Sequence, residues 1–191
     1  LKFIQEEYEN TYEEKKSKFI AHLMPYEKFH EVMNKLKEKH PKGRHFVYAY
    51  RYLNEFDQVV ENSSDDGEPK GTSGKPSLAV LAGSGMINTG VIIVRYFGGI
   101  KLGTGGLVRA YGDSVNEVLT KATFFEYKKL MTKKLKCSYP DLSKLEYLLK
   151  QEDISIKDKE FSIDVILNIE LTSNEWQLLL AKLPISISEE K

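Results

Sequence analysis

Three carboxylates, Asp65, Asp66 and Glu68, crowd around Gly67 in the stretch SDDGEPKGTSGKP (64–76), which also carries Lys70, Thr72, Ser73 and Lys75. Carboxylates this close could hold a magnesium ion beside a substrate phosphate, because magnesium often takes only one or two protein carboxylates. The competing reading is a solvated turn. Ser73 or Thr72 could also be combined with His45 as base and Asp66 as orienter into a nucleophilic triad. Nothing in the spacing requires that arrangement, and such triads are recognised by geometry. Downstream, RYFGGIKLGTGGLVRAYG (95–112) follows an apolar run and leads into a helical pattern. Strand, glycine loop and helix start, in that order, aim free backbone N–H groups and a positive helix end at whatever sits in the loop, which suits an anion.

Between Pro69 and Gly112 lie five cations, Lys70, Lys75, Arg95, Lys101 and Arg109, and no Asp or Glu; 12 of the 13 glycines fall between Gly67 and Gly112. Glycine allows close backbone approach at an entropic cost, so the concentration marks special loop geometry rather than a set of ordinary turns. The spacing fits no familiar phosphate loop. Gly74-Lys75 is followed by Pro76 where a magnesium-binding Ser or Thr belongs, and Gly83-x-Gly85 and Gly103-x-Gly105 lack the third glycine of a dinucleotide fingerprint. Aligned as a calcium loop, Gly67 would put Ser73 where the bidentate glutamate belongs. His22, His30, His40 and His45 show no paired ligand spacing and there is no C-x-x-C, so structural zinc is not expected. No resident metal or cofactor is expected, and no catalytic residue is assigned. Whether the chain is an enzyme stays open, with a binding role favoured.

The balance of 28 basic and 28 acidic residues argues against a generic polyanion binder, and it survives division, residues 1–127 carrying 17 of each. Cys137 is the one cysteine and cannot close an intramolecular bridge. With no charged-then-apolar leader and no apolar run long enough for a membrane span, a cytoplasmic, non-membrane setting is expected.

The elements that must position these groups read as an α+β chain of two domains. KFIAHLM (18–24) suits a strand ended by Pro25, and Phe29, Val32, Met33 and Leu36 recur at helical spacing before Pro41 and Gly43. HFVYAYRYL (45–53) and 57–61 form a hairpin turning at 54–56, followed by an exposed loop over 62–75 and a short helix at 78–81 closed by Gly83 and Gly85. The continuous apolar run 91–94 is expected of a strand covered on both faces; beyond it Val108, Tyr111, Val115, Val118, Leu119 and Ala122 share a helix face. Arg109 and Asp113 lie off that face at i and i+4, where a surface ion pair is the plain reading. Lysine-rich 128–136 reads as the passage between domains. After it Leu135, Cys137 and Tyr139 alternate, Leu142, Leu145, Leu148 and Leu149 are helical, and Ile163, Val165, Leu167, Ile169 and Leu171 alternate again. Thr172 with Glu175 predicts a capping box ahead of Trp176, and 185–187 a short final strand. The expected domains are 1–127 and a ferredoxin-like βαββαβ unit over 133–191.

The segments 64–76 and 95–112, with KSKFIAH (16–22) and YAYR (48–51) in order and spacing around them, closely resemble the signature of the YigZ/IMPACT family over roughly residues 15–125. The resemblance implies a first domain of the βαβ type seen in ribosomal proteins and in domain IV of elongation factor G, and a ferredoxin-like second domain. In eukaryotic relatives it implies control of translation under amino-acid stress, through binding a co-activator of a translation-initiation kinase. For bacterial members it implies nucleic-acid or ribosome binding, supposed from the fold. A proline dipeptidase label attaches to some of them, but such peptidases need a metal cluster that this sequence does not show. Where the family often reads T-H-N-C before Y-A-Y, this chain has Arg44, His45, Phe46 and Val47, which keeps the histidine and loses the thiol.

Together these readings nominate His45, Arg51, Asp65, Asp66, Glu68, Lys70, Thr72, Ser73, Lys75, Arg95, Tyr96, Gly98, Gly99, Lys101, Gly103, Thr104, Gly105, Gly106 and Arg109 as ligand- or anion-binding residues. Tyr96, Phe97, Tyr48 and Tyr50 are candidate stacking surfaces. The expected function is a non-enzymatic, translation-associated regulatory or binding protein holding RNA, the ribosome or another phosphate-bearing ligand. The alternatives are an enzyme acting on a small phosphorylated or acyl substrate, and an interaction module for a translation-related protein.

Overall fold

The computed structural model describes residues 1–190, and the chain divides into two compact units, the first Leu1–Tyr127 and the second from Lys128 onward. The first unit runs β1 (Lys2–Phe3), β2 (Tyr8–Glu14), β3 (Ser17–Pro25), α1 (Phe29–Lys39), β4 (His45–Leu53), β5 (Val59–Ser64), α2 (Gly74–Gly83), β6 (Thr89–Tyr96), α3 (Gly103–Thr120) and β7 (Phe125–Glu126). Its main sheet has the order β2-β3-β6-β4-β5 with every neighbouring pair antiparallel, while β1 pairs with β7 separately. Because β6 lies between β3 and β4, those two run parallel to each other and α1 joins them as a split crossover. By the same logic α2 joins β5 to β6 around β4.

Alternation along the strands sends side chains to two covered faces. Phe19, Ala21, Leu23, Val47, Ala49, Val91 and Ile93 bury against Leu81 of α2 and Leu107, Tyr111, Val115 and Val118 of α3. On the other face Met24, Ile92 and Val94 pack against Phe29, Val32 and Leu36 of α1. This double cover is why 91–94 carries no polar residue, as expected.

Three expectations change. The stretch 62–75 is an exposed loop only in part: its first residues close β5, and Glu68, Thr72 and Ser73 are buried while Asp66, Gly67, Pro69, Lys70 and Lys75 stay exposed. The segment folds inward because its polar groups find partners there, described below. α2 starts at Gly74 with Pro76 in its first turn, where the absent N–H costs nothing. Gly74 fits because a Cβ there would lie 2.7 Å from the Ser64 carbonyl carbon. Finally, α3 takes Gly103, Gly105 and Gly106 into its first turn, and Leu107 rather than Val108 joins the buried face, Val108 being exposed.

The second unit runs β8 (Met131–Cys137), α4 (Tyr139–Gln151), β9 (Ser155–Phe161), β10 (Val165–Leu171), α5 (Ser173–Leu180) and β11 (Ser188–Glu189), with sheet order β11-β8-β10-β9, all antiparallel. This is the ferredoxin-like arrangement, two split βαβ units interleaved. The expected passage 128–136 is mostly strand: β8 begins at Met131, and Lys133, Lys134 and Lys136 meet Glu189, Glu160 and Asp164 across the sheet. Tyr139 heads α4 instead of ending β8, and Ile163 stands exposed before β10. A turn over Pro184–Ile187 leaves Ile185 exposed and moves the last strand from 185–187 to Ser188–Glu189. The capping box is present, Glu175 N–H donating to Thr172 Oγ1 (3.2 Å) and Thr172 N–H to Glu175 Oε2 (2.7 Å). Among the described residues no helix is long and apolar enough to cross a membrane.

Candidate functional site

His45 at the start of β4 sits opposite Arg95 near the end of β6, and the 65–73 segment folds over that end of the sheet. Asp65 organises the fold-over. Its carboxylate accepts from Gly71 N–H (2.7 Å), Ser73 N–H (3.1 Å), Gly74 N–H (2.8 Å) and the Ser73 hydroxyl (2.8 Å). Burial would raise this carboxyl, but the donors outweigh it and hold its pKa below the usual carboxylate range. Asp65 thus satisfies the opening N–H groups of α2 and complements its positive end. Asp66 ties the same segment to β4, accepting from Phe46 N–H at Oδ2 (2.6 Å) and, through its carbonyl, from His45 Nδ1 (2.8 Å).

These ties deliver Glu68 to the interior. Its Oε1 accepts from Arg95 Nη1 (2.6 Å) and from the Tyr111 hydroxyl (2.7 Å), with the Glu68 side chain 3% and the Arg95 side chain 9% exposed. Burial and the Glu68 charge push the Tyr111 hydroxyl up, so it remains a donor. Glu68 Oε2 lies 4.0 Å from His45 Nε2, beyond hydrogen-bond range.

Above this floor opens a cleft of about 450 Å³ lined by Arg44, His45, Glu68, Pro69, Arg95, Phe97, Lys101, Leu102, Gly103, Thr104 and Leu107. Arg44 and Lys101 are exposed and neither has an acidic partner among the described residues. The first turn of α3 receives no side-chain cap from Leu102, which leaves its N–H groups beside Gly103 and Thr104 available. Phe97 is 49% exposed, with the Arg95 guanidinium 5.8 Å from its ring centroid. The loop holding Phe97 is fixed by Gly98, whose N–H donates to Ser17 Oγ (3.1 Å); a Cβ there would sit 2.0 Å from the Lys16 carbonyl carbon. A hollow of about 520 Å³ at the other end of the sheet is lined by Phe3, Pro25, Tyr26, Glu27, Tyr52 and Asn88 among others, and by no cation, so it does not suit an anion as the cleft does.

The nominated residues therefore separate. His45, Glu68, Arg95, Lys101, Gly103 and Thr104 line the cleft; Asp65, Asp66, Thr72, Ser73, Gly98 and Gly99 belong to the segments that shape it. Gly105 is exposed in the first turn of α3, while Gly106 and Arg109 line a smaller hollow with Tyr12, Glu14 and Asp113. Lys70 and Lys75 are exposed and outside the cleft lining. Arg51 lies at the other end of β4, donating to Glu61 and to the Met86 carbonyl. Tyr96, Tyr48 and Tyr50 pack on the α1 side, Tyr96 bonded to His40 Nδ1 (2.8 Å), so of the aromatic candidates only Phe97 faces the cleft. The triad does not form: His45 is oriented by the Asp66 carbonyl rather than its carboxylate, and the Ser73 hydroxyl serves Asp65. The magnesium alternative finds no ligand cluster among the described residues: Asp65 is taken up by protein donors, Glu68 offers only its Oε2, and no three acidic, histidine or cysteine side chains converge. Arg44 and Tyr111 were not nominated. Arg44 lies outside the acid-free stretch, and Tyr111 reads as a plain apolar-face residue until its hydroxyl is seen to meet Glu68.

Residues 15–119, which supply every group lining the cleft, match the family described as the Impact N-terminal domain, and 135–184 match a domain of unknown function, DUF1949. The chain belongs to the IMPACT family. It is 40% identical over 172 residues to the IMPACT family member YigZ of Escherichia coli, covering 88% of this chain and 84% of that protein. It is 38% identical over 153 residues to the IMPACT family member YvyE of Bacillus subtilis, covering 78% and 70%. A crystal structure of a hypothetical protein, 35% identical, aligns over 98% of this chain and 95% of its own with a TM-score of 0.64. The matched span 15–119 contains both glycine-bearing segments, one folding over the end of the sheet and the other carrying Phe97, Lys101 and the start of α3.

Proposed function

We propose that this IMPACT protein is a non-enzymatic, translation-associated binding protein that holds single-stranded RNA, free or on the ribosome, at the β4–β6 cleft. The observation that carries the reading is the rim: two cations without acidic partners, Arg44 and Lys101, beside the uncapped first turn of α3. Cations and free helix N–H groups recognise phosphate oxygens, and the half-exposed Phe97 offers a face on which a base can stack. Arg95 does not serve as a free cation, because Glu68 neutralises it.

The test is a filter-binding titration of short single-stranded RNA at several salt concentrations. Replacing Arg44 and Lys101 together by alanine should weaken binding and lower the slope of log K against log salt by about 1.4, two phosphate contacts at about 0.7 each. Lys70→Ala with Lys75→Ala should leave the slope as it is. An unchanged slope in the rim variant would remove the assignment.

A further inference from the structure

The floor of the cleft has bonding capacity that the protein itself leaves unused. The Asp66 carbonyl can only accept, so His45 Nδ1 carries the hydrogen in their 2.8 Å contact. In the neutral ring Nε2 is then an acceptor. Glu68 Oε1 is occupied by Arg95 and Tyr111, whereas Oε2 has no hydrogen bond among the described residues and lies 4.0 Å from His45 Nε2. Two acceptors at that separation do not bond to each other. A single nitrogen placed between them, about 2.9 Å from each, can donate one N–H to each. The floor thus asks for a group with two hydrogens on one nitrogen, while the rim asks for an anion.

The apolar walls limit what can connect these demands. Pro69, Leu102 and Leu107 line the cleft beside the open face of Phe97, and about 450 Å³ lies within the usual range for a small-molecule site. We infer that the cleft takes a nucleotide edge-on, its phosphate at Arg44, Lys101 and the start of α3, and the exocyclic amino group of its base between Glu68 Oε2 and His45 Nε2. This rests on the RNA-binding reading above and deepens it, since it makes the site selective for amino-bearing bases over uracil. Cytosine and uracil give the cleanest contrast. They share ring size and stacking face, but uracil puts a carbonyl oxygen where cytosine has its amino group, and a carbonyl beside a carboxylate repels it.

The experiment is isothermal titration of the full chain with cytidine and uridine 5′-monophosphates, repeated with inorganic phosphate as competitor. A charge-assisted hydrogen bond to a buried carboxylate should favour the cytidine nucleotide by about tenfold or more. His45→Ala removes one acceptor from a partly exposed position, and should shrink that preference to about threefold while leaving competition by phosphate intact. Equal affinities for both nucleotides, each displaced by phosphate, would overturn the floor assignment and leave the rim reading standing. If neither nucleotide nor inorganic phosphate binds and labelled RNA also fails, both readings fall together.

Discussion

Glu68→Gln should separate the charge of this site from its shape. The amide is nearly isosteric and its oxygen can still accept from the Tyr111 hydroxyl, so the main loss is the negative charge facing Arg95 Nη1 at 2.6 Å. With the Arg95 side chain only 9% exposed, water cannot replace the lost partner. Leaving one member of a buried ion pair uncompensated costs about 3–5 kcal/mol. Taking about 4 kcal/mol and a urea m-value of about 1.5 kcal/mol/M, the midpoint for the first unit should fall by about 2.7 M. Urea denaturation followed by far-UV circular dichroism reads this transition. Trp176, the single tryptophan, lies in the second unit, so its fluorescence midpoint serves as an internal reference. Arg95→Met should be costly alone, yet the double variant should cost much less than the sum, with a coupling of about 3 kcal/mol or more. A shift below about 0.5 M for Glu68→Gln, or strict additivity in the cycle, would refute the view that the pair is a buried, mutually dependent unit.

Two further outcomes follow from other parts of the first unit. Asp65→Ala removes the acceptor shared by Gly71, Ser73 and Gly74 and should destabilise the unit by about 2 kcal/mol, read as a lower urea midpoint, whereas Asp66→Ala, which loses one N–H partner, should cost less. A cost for Asp65→Ala no larger than that of Asp66→Ala would dismiss its capping role. Stability should also fall as pH drops below about 6.5, through His22 and His40. Burial, together with Lys39 and outweighing the nearby Glu9, holds both below the ordinary imidazole value of 6.5, and their Nε2 atoms are buried without partners. The unfolded chain therefore binds more protons than the folded one between the folded and unfolded pKa values, so stability rises with pH through that window and levels off above about pH 7.5. His22→Gln should flatten the dependence of urea midpoint on pH between about 5.5 and 7.5; an unaltered slope would show that His22 is not its source.

Period and punctuation were enough to find α1, β4, β6, β10 and the box at Thr172, because each carries its own local signal: a stripe, a run or a cap. β2 was missed because Tyr8–Glu14 is an edge strand whose outer face carries Glu9, Thr11 and Glu13 and whose half-buried face is tyrosine, asparagine and glutamate, so its pattern is polar. The terminal shifts at Ile163 and Ile185 have a similar origin, since an isolated apolar residue beside a turn looks like a strand residue until the turn is seen. Composition located the site in one stretch, because the glycines that permit backbone crowding and the absence of carboxylates are properties of the chain itself. What each charge does there was a matter of tertiary partners. Asp65 and Glu68 are close in the sequence, but one caps the start of α2 outside the cleft lining while the other is buried against a cation from β6 and a hydroxyl from α3. Likewise, among five evenly advertised cations the fold neutralised Arg95, placed Arg109 in a separate small hollow, left Lys70 and Lys75 outside the cleft, kept Lys101 at the rim, and brought in Arg44 from outside the acid-free stretch. Charge is written residue by residue, but its value depends on desolvation and on which opposite charge stands within a few ångströms, and both are set only when distant segments meet.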